Sequence, residues 1–230
     1  MILKRKNANI IGVLFLTALV FNLIASAISD PVLRDADFLH KVYAAKNLII
    51  IGSMLNIICA IAMIFIPIYF YPVVKERDKN LALGYIVFWS LEGILFIYIA
   101  IKTLSIIQLS KAFIQKGTQH PDLFQLTGDS IHSELHWANV IYIVIFCLGA
   151  MTFYFLLYRS NLVPKFLSVW GFLAAIYLLT GALSGMFGLL MFSDMPLMEG
   201  IVYFAPAIAL NEFVLSVWLL MKGFNENTNH

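Results

Sequence analysis

Six long apolar runs decide what this chain can fold into. They cover residues 9–29, 48–74, 81–101, 136–158, 167–192 and 201–224. Each holds the ~20 residues that a helix needs to cross the hydrocarbon core of a bilayer. The runs do not alternate polar and apolar positions, and most are too long for barrel strands. A backbone in lipid must bond within itself, so the runs read as helices. The expectation is an all-α integral membrane protein, a single domain over 1–230 built as a bundle of six transmembrane helices. Pro67 and Pro206 fall inside the second and sixth runs, where a missing N–H is expected to kink each helix.

Composition closes the alternatives. The chain is 61% hydrophobic and 12% charged, against about 45–50% and about 25% in soluble domains. Disorder needs the opposite balance. A net charge of +2 gives no basic face for nucleic acid, so the expected partner is the lipid bilayer. Cys59 and Cys147 lie in apolar runs without CxxC spacing and read as small buried hydrophobes. Lys4, Arg5 and Lys6, an apolar stretch, then Ala25, Ser26 and Ala27 imitate a secretory signal. That stretch outruns a usual signal core, so it reads as the first span.

Orientation follows from the basic residues near the helix ends. With the N-terminus inside, the short inner segments hold Lys4, Arg5, Lys6, Lys75, Arg77, Lys79, Arg159, Lys165 and Lys222. The longer outer segments hold Arg34, Lys41, Lys46, Lys102, Lys111 and Lys116. Both termini are therefore expected on the cytoplasmic side. In the first outer segment, Asp30 and Pro31 suit the start of a short interfacial helix with Val32, Ala36, Leu39 and Tyr43 on one face. The second, 103–135, carries Phe113, Leu123, Phe124, Leu126 and Ile131 and is expected to fold as a loop over the outer mouth.

Polar residues at depth carry the functional reading. Glu92 and Glu212 each lie eleven residues into a run, about 16 Å from its start at 1.5 Å per residue and so near the midplane. Bare and charged, the two would cost roughly 5–7 kcal/mol. No Lys or Arg lies mid-span to pair them, so at least one is expected to carry its proton at pH 7. Asn22, Asn56, Asn139, His136 and Asn211 lie at the midplane or in the outer halves. Together they suggest an outward-facing polar cavity floored by the two glutamates and binding a small molecule or lipid, in the manner of a transporter or sensor. The competing reading is packing, with interhelical hydrogen bonds worth about 0.6 kcal/mol each.

Two further features have weaker readings. His132 and His136 stand one turn apart, a spacing that could hold zinc in a membrane-embedded hydrolase. HxxxH alone is unspecific, and Glu134 points to another side of the helix. No cofactor is otherwise expected. The fifth run is rich in small residues, with Gly181 and Gly185 in GxxxG spacing. These serve close packing within the bundle or a homo-oligomer face. The chain has no P-loop, GxGxxG or GxSxG, so an enzyme of the soluble type is not supported.

Two segments resemble a known family. One is 158–164 (Tyr-Arg-Ser-Asn-Leu-Val-Pro), leading into the Gly171 helix. The other is 211–223, which runs from Asn211 and Glu212 through Trp218 to Lys222 and Gly223. They look like the bacterial multi-pass membrane proteins grouped as domain of unknown function 4386. Glu92 and the basic residues before Gly12 are similar to its pattern too, although Lys6 stands where the family usually has Arg. The resemblance implies a bundle of six or seven helices in the bacterial cytoplasmic membrane. It places Arg159, Pro164, Glu212, Trp218, Lys222 and Gly223 at family-like positions and supplies no activity. A structural or assembly protein without its own ligand is the remaining alternative.

Overall fold

The computed structural model describes residues 2–116, 120–187 and 203–225. Among them there are seven helices and no strand. They are α1 (Ile2–Leu33), α2 (Phe38–Ala44), α3 (Lys46–Val74), α4 (Lys79–Lys116), α5 (Pro121–Ser160), α6 (Lys165–Met186) and α7 (Ala205–Met221). Five of these, all but α2 and α7, are long and apolar enough to cross a bilayer. The seventeen residues of α7 span about 25 Å at 1.5 Å per residue. The end of the fifth run and the start of the sixth, with Gly188, lie outside the described residues.

The long helices close into a ring. α1 packs on α3, α3 on α4, α4 on α5, α5 on α6, α6 on α7, and α7 on α1. The ring is built for lipid. Ile50, Ile51, Met54, Ile57, Ile58, Ile61, Phe65 and Ile68 of α3 are exposed on its outer surface, while Ser53, Glu92, Asn211 and Ser216 are buried. Water would oppose so continuous an apolar wall. One half of the ring is filled by aromatics. Phe15, Phe70, Tyr85, Trp89 and Phe153 come from four helices, with neighbouring ring centroids 4.9–5.6 Å apart. Such pairs add about 0.5–1.5 kcal/mol each beyond the area they bury. Both cysteines are buried and free, as expected.

The same end of the ring is tied by polar groups. Arg5 donates to the last carbonyls of α7, Leu220 O at 2.9 Å and Met221 O at 3.1 Å. Asn7 donates to Tyr69 O at 3.0 Å, and Arg159 pairs with Asp78 at 2.8 Å. Gly223 turns the chain at φ +75°, a left-handed conformation that a side chain opposes, and any Cβ there would meet Arg5.

Three local expectations are corrected. Asp30 and Pro31 lie in the last turn of α1, where Asp30 accepts from Arg34, and do not start the short helix. That helix begins at Phe38, after a turn in which the Asp35 carboxylate takes the Asp37 N–H, and it buries Phe38, Leu39 and Val42. Segment 103–135 is not a loop over the mouth. α4 runs on to Lys116 and α5 starts at Pro121, so the two extend past their apolar runs as a helical hairpin. The stripe Thr103, Ile106, Ile107 and Ser110 keeps helical spacing beyond the apolar run, and α2 packs on it, with Ser110 Oγ donating to Leu39 O. Pro206 is the second residue of α7, where its missing N–H leaves no helical bond unmade, so it starts the helix and does not kink it. Pro67 lies inside α3, whose helical assignment runs through it.

The turn before α2 gives a pH-dependent contact. Lys41 Nζ at 2.5 Å and the Asp37 N–H at 2.8 Å hold the Asp35 carboxyl below its usual range, and Asp35 in turn raises Lys41. A lowered acid stabilises the fold above its unfolded pKa of about 4 and loses that stabilisation as pH falls through the depressed value. The raised lysine contributes below its unfolded pKa of about 10 and loses that contribution as pH rises further. The protection of the α2 amides, taken relative to their intrinsic exchange rates, is expected to fall as pH drops below about 4. Asp35→Asn is expected to remove that step and to leave α2 less protected at pH 6. Identical curves for the two proteins would overturn the assignment.

Candidate functional site

Tyr85, Trp89, Glu92 and Phe96 form a buried stripe on α4 at helical spacing. The stripe faces the ring interior, so Glu92 is delivered to its centre. It is fully buried, and neither of its carboxyl oxygens has a hydrogen-bond partner. Glu212 comes from the opposite side of the ring, on the α7 face that also presents Ile208, Leu215 and Ser216, and is half-buried. The two carboxyls lie within electrostatic range of each other and of the Tyr85 and Tyr142 hydroxyls. Tyr154 lies in range of Glu212, and Cys147 in range of Glu92.

Several buried polar groups of the ring share an unusual property. Tyr85 and Tyr154 hydroxyls, the indole N–H groups of Trp89 and Trp218, Ser168 Oγ and Asn211 Oδ1 are all buried without a partner. Buried polar groups are bonded in nine cases out of ten or better, so such a set is a departure to be explained. Two glycines make its geometry. A Cβ on Gly149 would lie 2.7 Å from Trp89 Cδ1, and one on Gly171 would overlap the Tyr154 ring. α5 and α6 therefore admit the two large rings only because those positions carry no side chain.

Of the sequence candidates, Glu92 and Glu212 lie within electrostatic range of each other. Asn211 is fully buried and donates to Leu167 O at 3.0 Å, which ties α7 to α6. Asn139 donates to Leu135 O of its own helix at 2.8 Å. Asn56 has a buried, unpartnered Oδ1 on α3, one turn from the equally unpartnered Ser53. Asn22 is half-buried on α1. His136 lies edge-on to Trp137, and His132 stacks on Phe38 of α2 with centroids 4.4 Å apart. Among the described residues no three His, Cys, Asp or Glu side chains gather as a metal-ligand set. The outward cavity is corrected in one respect: Glu92 is sealed by protein and does not form an open floor. An open hollow of about 600 Å³ lies instead between α6 and α7, lined by Phe166, Trp170, Leu173, Tyr177 and other apolar residues.

Tyr85, Trp89, Tyr154, Trp218 and Ser168 were not singled out from the sequence as site residues. The signal for two of them was present, since Tyr85 and Trp89 precede Glu92 by seven and three residues on one helical face. For Tyr154, Trp218 and Ser168, an aromatic or a serine in an apolar helix gives no sign of which way it points.

Five apolar helices of crossing length define a helical membrane protein. Residues 10–223 match the family described as Domain of unknown function (DUF4386), and the chain belongs to that family. Comparison with curated proteins and with solved structures gave no match. Part of the family-like C-terminal segment lies on the seam that closes the ring. Gly12 of α1 meets Ser216 O and Leu220 of α7, Gly223 meets Arg5, and Asn225 bonds back to Asn161 and Leu162 of the 158–164 segment.

Proposed function

We propose that the chain is a six-span bundle of the bacterial cytoplasmic membrane, with both termini on the cytoplasmic side. It binds a small molecule or lipid at Glu92 and Glu212, as a transporter or sensor does. The sixth span is α7 with the apolar residues before it, and the ring α1–α7 supports counting it as a full member. One observation carries the binding reading: both Glu92 oxygens are buried without a protein hydrogen bond, within electrostatic range of Glu212. Polar groups kept only to hold helices together bond to one another.

The test is native mass spectrometry of the full chain released from lipid, beside the Glu92→Gln plus Glu212→Gln variant. The unaltered chain is expected to carry a bound small molecule or lipid that the double variant lacks. Gln keeps the side-chain shape, and circular dichroism checks that the variant is folded. Identical mass spectra for two folded proteins would favour a structural role and overturn the reading.

A further inference from the structure

At the end of the ring that carries α2, the ion pairs leave two lysines over. Asp30 pairs with Arg34, Asp35 with Lys41 and Glu134 with Lys102, and Asp37 bonds to His40. Asp122 begins α5, and Asp129 accepts from Gln125. Among the described residues, neither Lys46 nor Lys111 has a carboxylate in salt-bridge range. What the two lysines share is the ring of Tyr43. Lys46 Nζ stands 4.8 Å from its centroid and Lys111 Nζ 6.0 Å.

Packing brings these groups together from three helices. The buried Ser110 hydroxyl takes the Tyr43 N–H at 2.9 Å and donates to Leu39 O at 2.6 Å. That fixes α2 on α4 and sets Tyr43 beside Lys111, the residue after Ser110. Lys46 begins α3, just past the end of α2 at Ala44. A ring face attracts a cation but cancels none of its charge. Two ammonium groups gathered on one ring repel each other. An anion that meets both removes the repulsion, and no described carboxylate does so. The surroundings give the depth of the cluster. Leu48, Ile50 and Ile51, which follow Lys46, are exposed apolar side chains. On α4 the exposed residues before Lys111 are polar, Ser105 and Gln108. The cluster therefore stands where α3 passes from polar to apolar surroundings, the level of phospholipid headgroups. A phosphate group has several oxygens to share between two lysines, each a compact charge with three donors.

We infer that Lys46 and Lys111, gathered on the Tyr43 ring, bind a phosphate group, carried by a phospholipid headgroup or free in solution. Lys46 is half-buried and fixed at the start of α3, and Lys111 is exposed and closes on the anion from α4. The site shares no residue with Glu92 and Glu212 and goes beyond the reading above. Neither depends on the other.

The experiment is lysine acetylation of the full chain in maltoside micelles, which contain no phosphate, read residue by residue by mass spectrometry. One arm adds inorganic phosphate, and the other adds phosphatidylglycerol to the micelles. Chloride at matched ionic strength is the reference for both. Lys116, exposed on the same helix as Lys111, is the internal control. Acetylation of Lys46 and Lys111 is expected to slow by about threefold or more, with Lys116 unchanged. Protection by inorganic phosphate supports a soluble anion, and protection by phosphatidylglycerol alone supports the headgroup. Lys46→Gln is expected to remove the protection of Lys111, and Lys111→Gln that of Lys46, because each loses half of the site. Backbone exchange in α2 checks that the packing survives. Equal slowing at Lys116 would mean surface charge only and would overturn the site. So would protection that persists in both single variants, which would mean two separate lysines. No protection in either arm would overturn it as well. The Glu92→Gln plus Glu212→Gln variant is expected to keep the protection in full, so failure here and failure at the acidic pair are read separately.

Discussion

Replacing Glu92 by methionine is expected to raise the stability of the chain by about 1–3 kcal/mol and to abolish ligand binding. The side chain is fully buried, and both carboxyl oxygens lack a partner. A charged group at the bilayer centre costs roughly 2.5–3.5 kcal/mol on insertion scales. Methionine is unbranched and of similar length, so it fills the same space with little strain. If Glu92 were there to bind helices together, its removal would cost about 0.6 kcal/mol per lost bond and the sign would reverse. Reversible unfolding in mixed micelles, or steric trapping, reads the difference directly. A methionine variant less stable than the parent would show that Glu92 belongs to the packing. Gain of stability with loss of binding is the signature of a group kept for function at the expense of the fold.

The span pattern was legible because the bilayer asks for one thing, a long apolar stretch, and five of the six runs coincide with long helices. The hairpin of α4 and α5 was not, because a hydropathy reading stops at Lys102 while helical spacing continues through Thr103, Ile106, Ile107 and Ser110. Periodicity, not apolarity, marks where those helices end. Likewise Asp30 and Pro31 carry the chemistry of a helix start, but the turn at Asp35 and Asp37 decides where α2 begins. The site was legible in its two carboxyls, since a deep glutamate is costly wherever it points. Its aromatic half was not, apart from the α4 stripe. Depth along a helix follows from counting residues, but rotation about its axis is fixed only by neighbours. Asn139 illustrates this, as its amide is taken up by the carbonyl one turn back on its own helix.

The aromatic half of the site depends on Gly171, and a leucine there is expected to destabilise the chain by about 3 kcal/mol. A Cβ at this position already overlaps the ring of Tyr154, and the ring has nowhere to go. Tyr154 is 1% exposed and packs against Phe153, which is itself in contact with Phe15, Phe70, Tyr85 and Trp89. Displacing it means moving either the aromatic block or α6 as a whole. Glycine in mid-helix forgoes about 1 kcal/mol of helix propensity, so leucine recovers part of the loss and the steric cost exceeds the net figure by about that amount. Removing the obstacle should restore much of the stability. Tyr154→Ala combined with Gly171→Leu is expected to be more stable than the sum of the single changes predicts, with a coupling of about 1–3 kcal/mol. Additive effects would mean that the two positions do not meet, and α6 would then pack on α5 in another register. The same double variant removes one unpartnered hydroxyl in range of Glu212. It is therefore expected to keep the ring and to change the surroundings of Glu212, which separates the architecture from the site it holds.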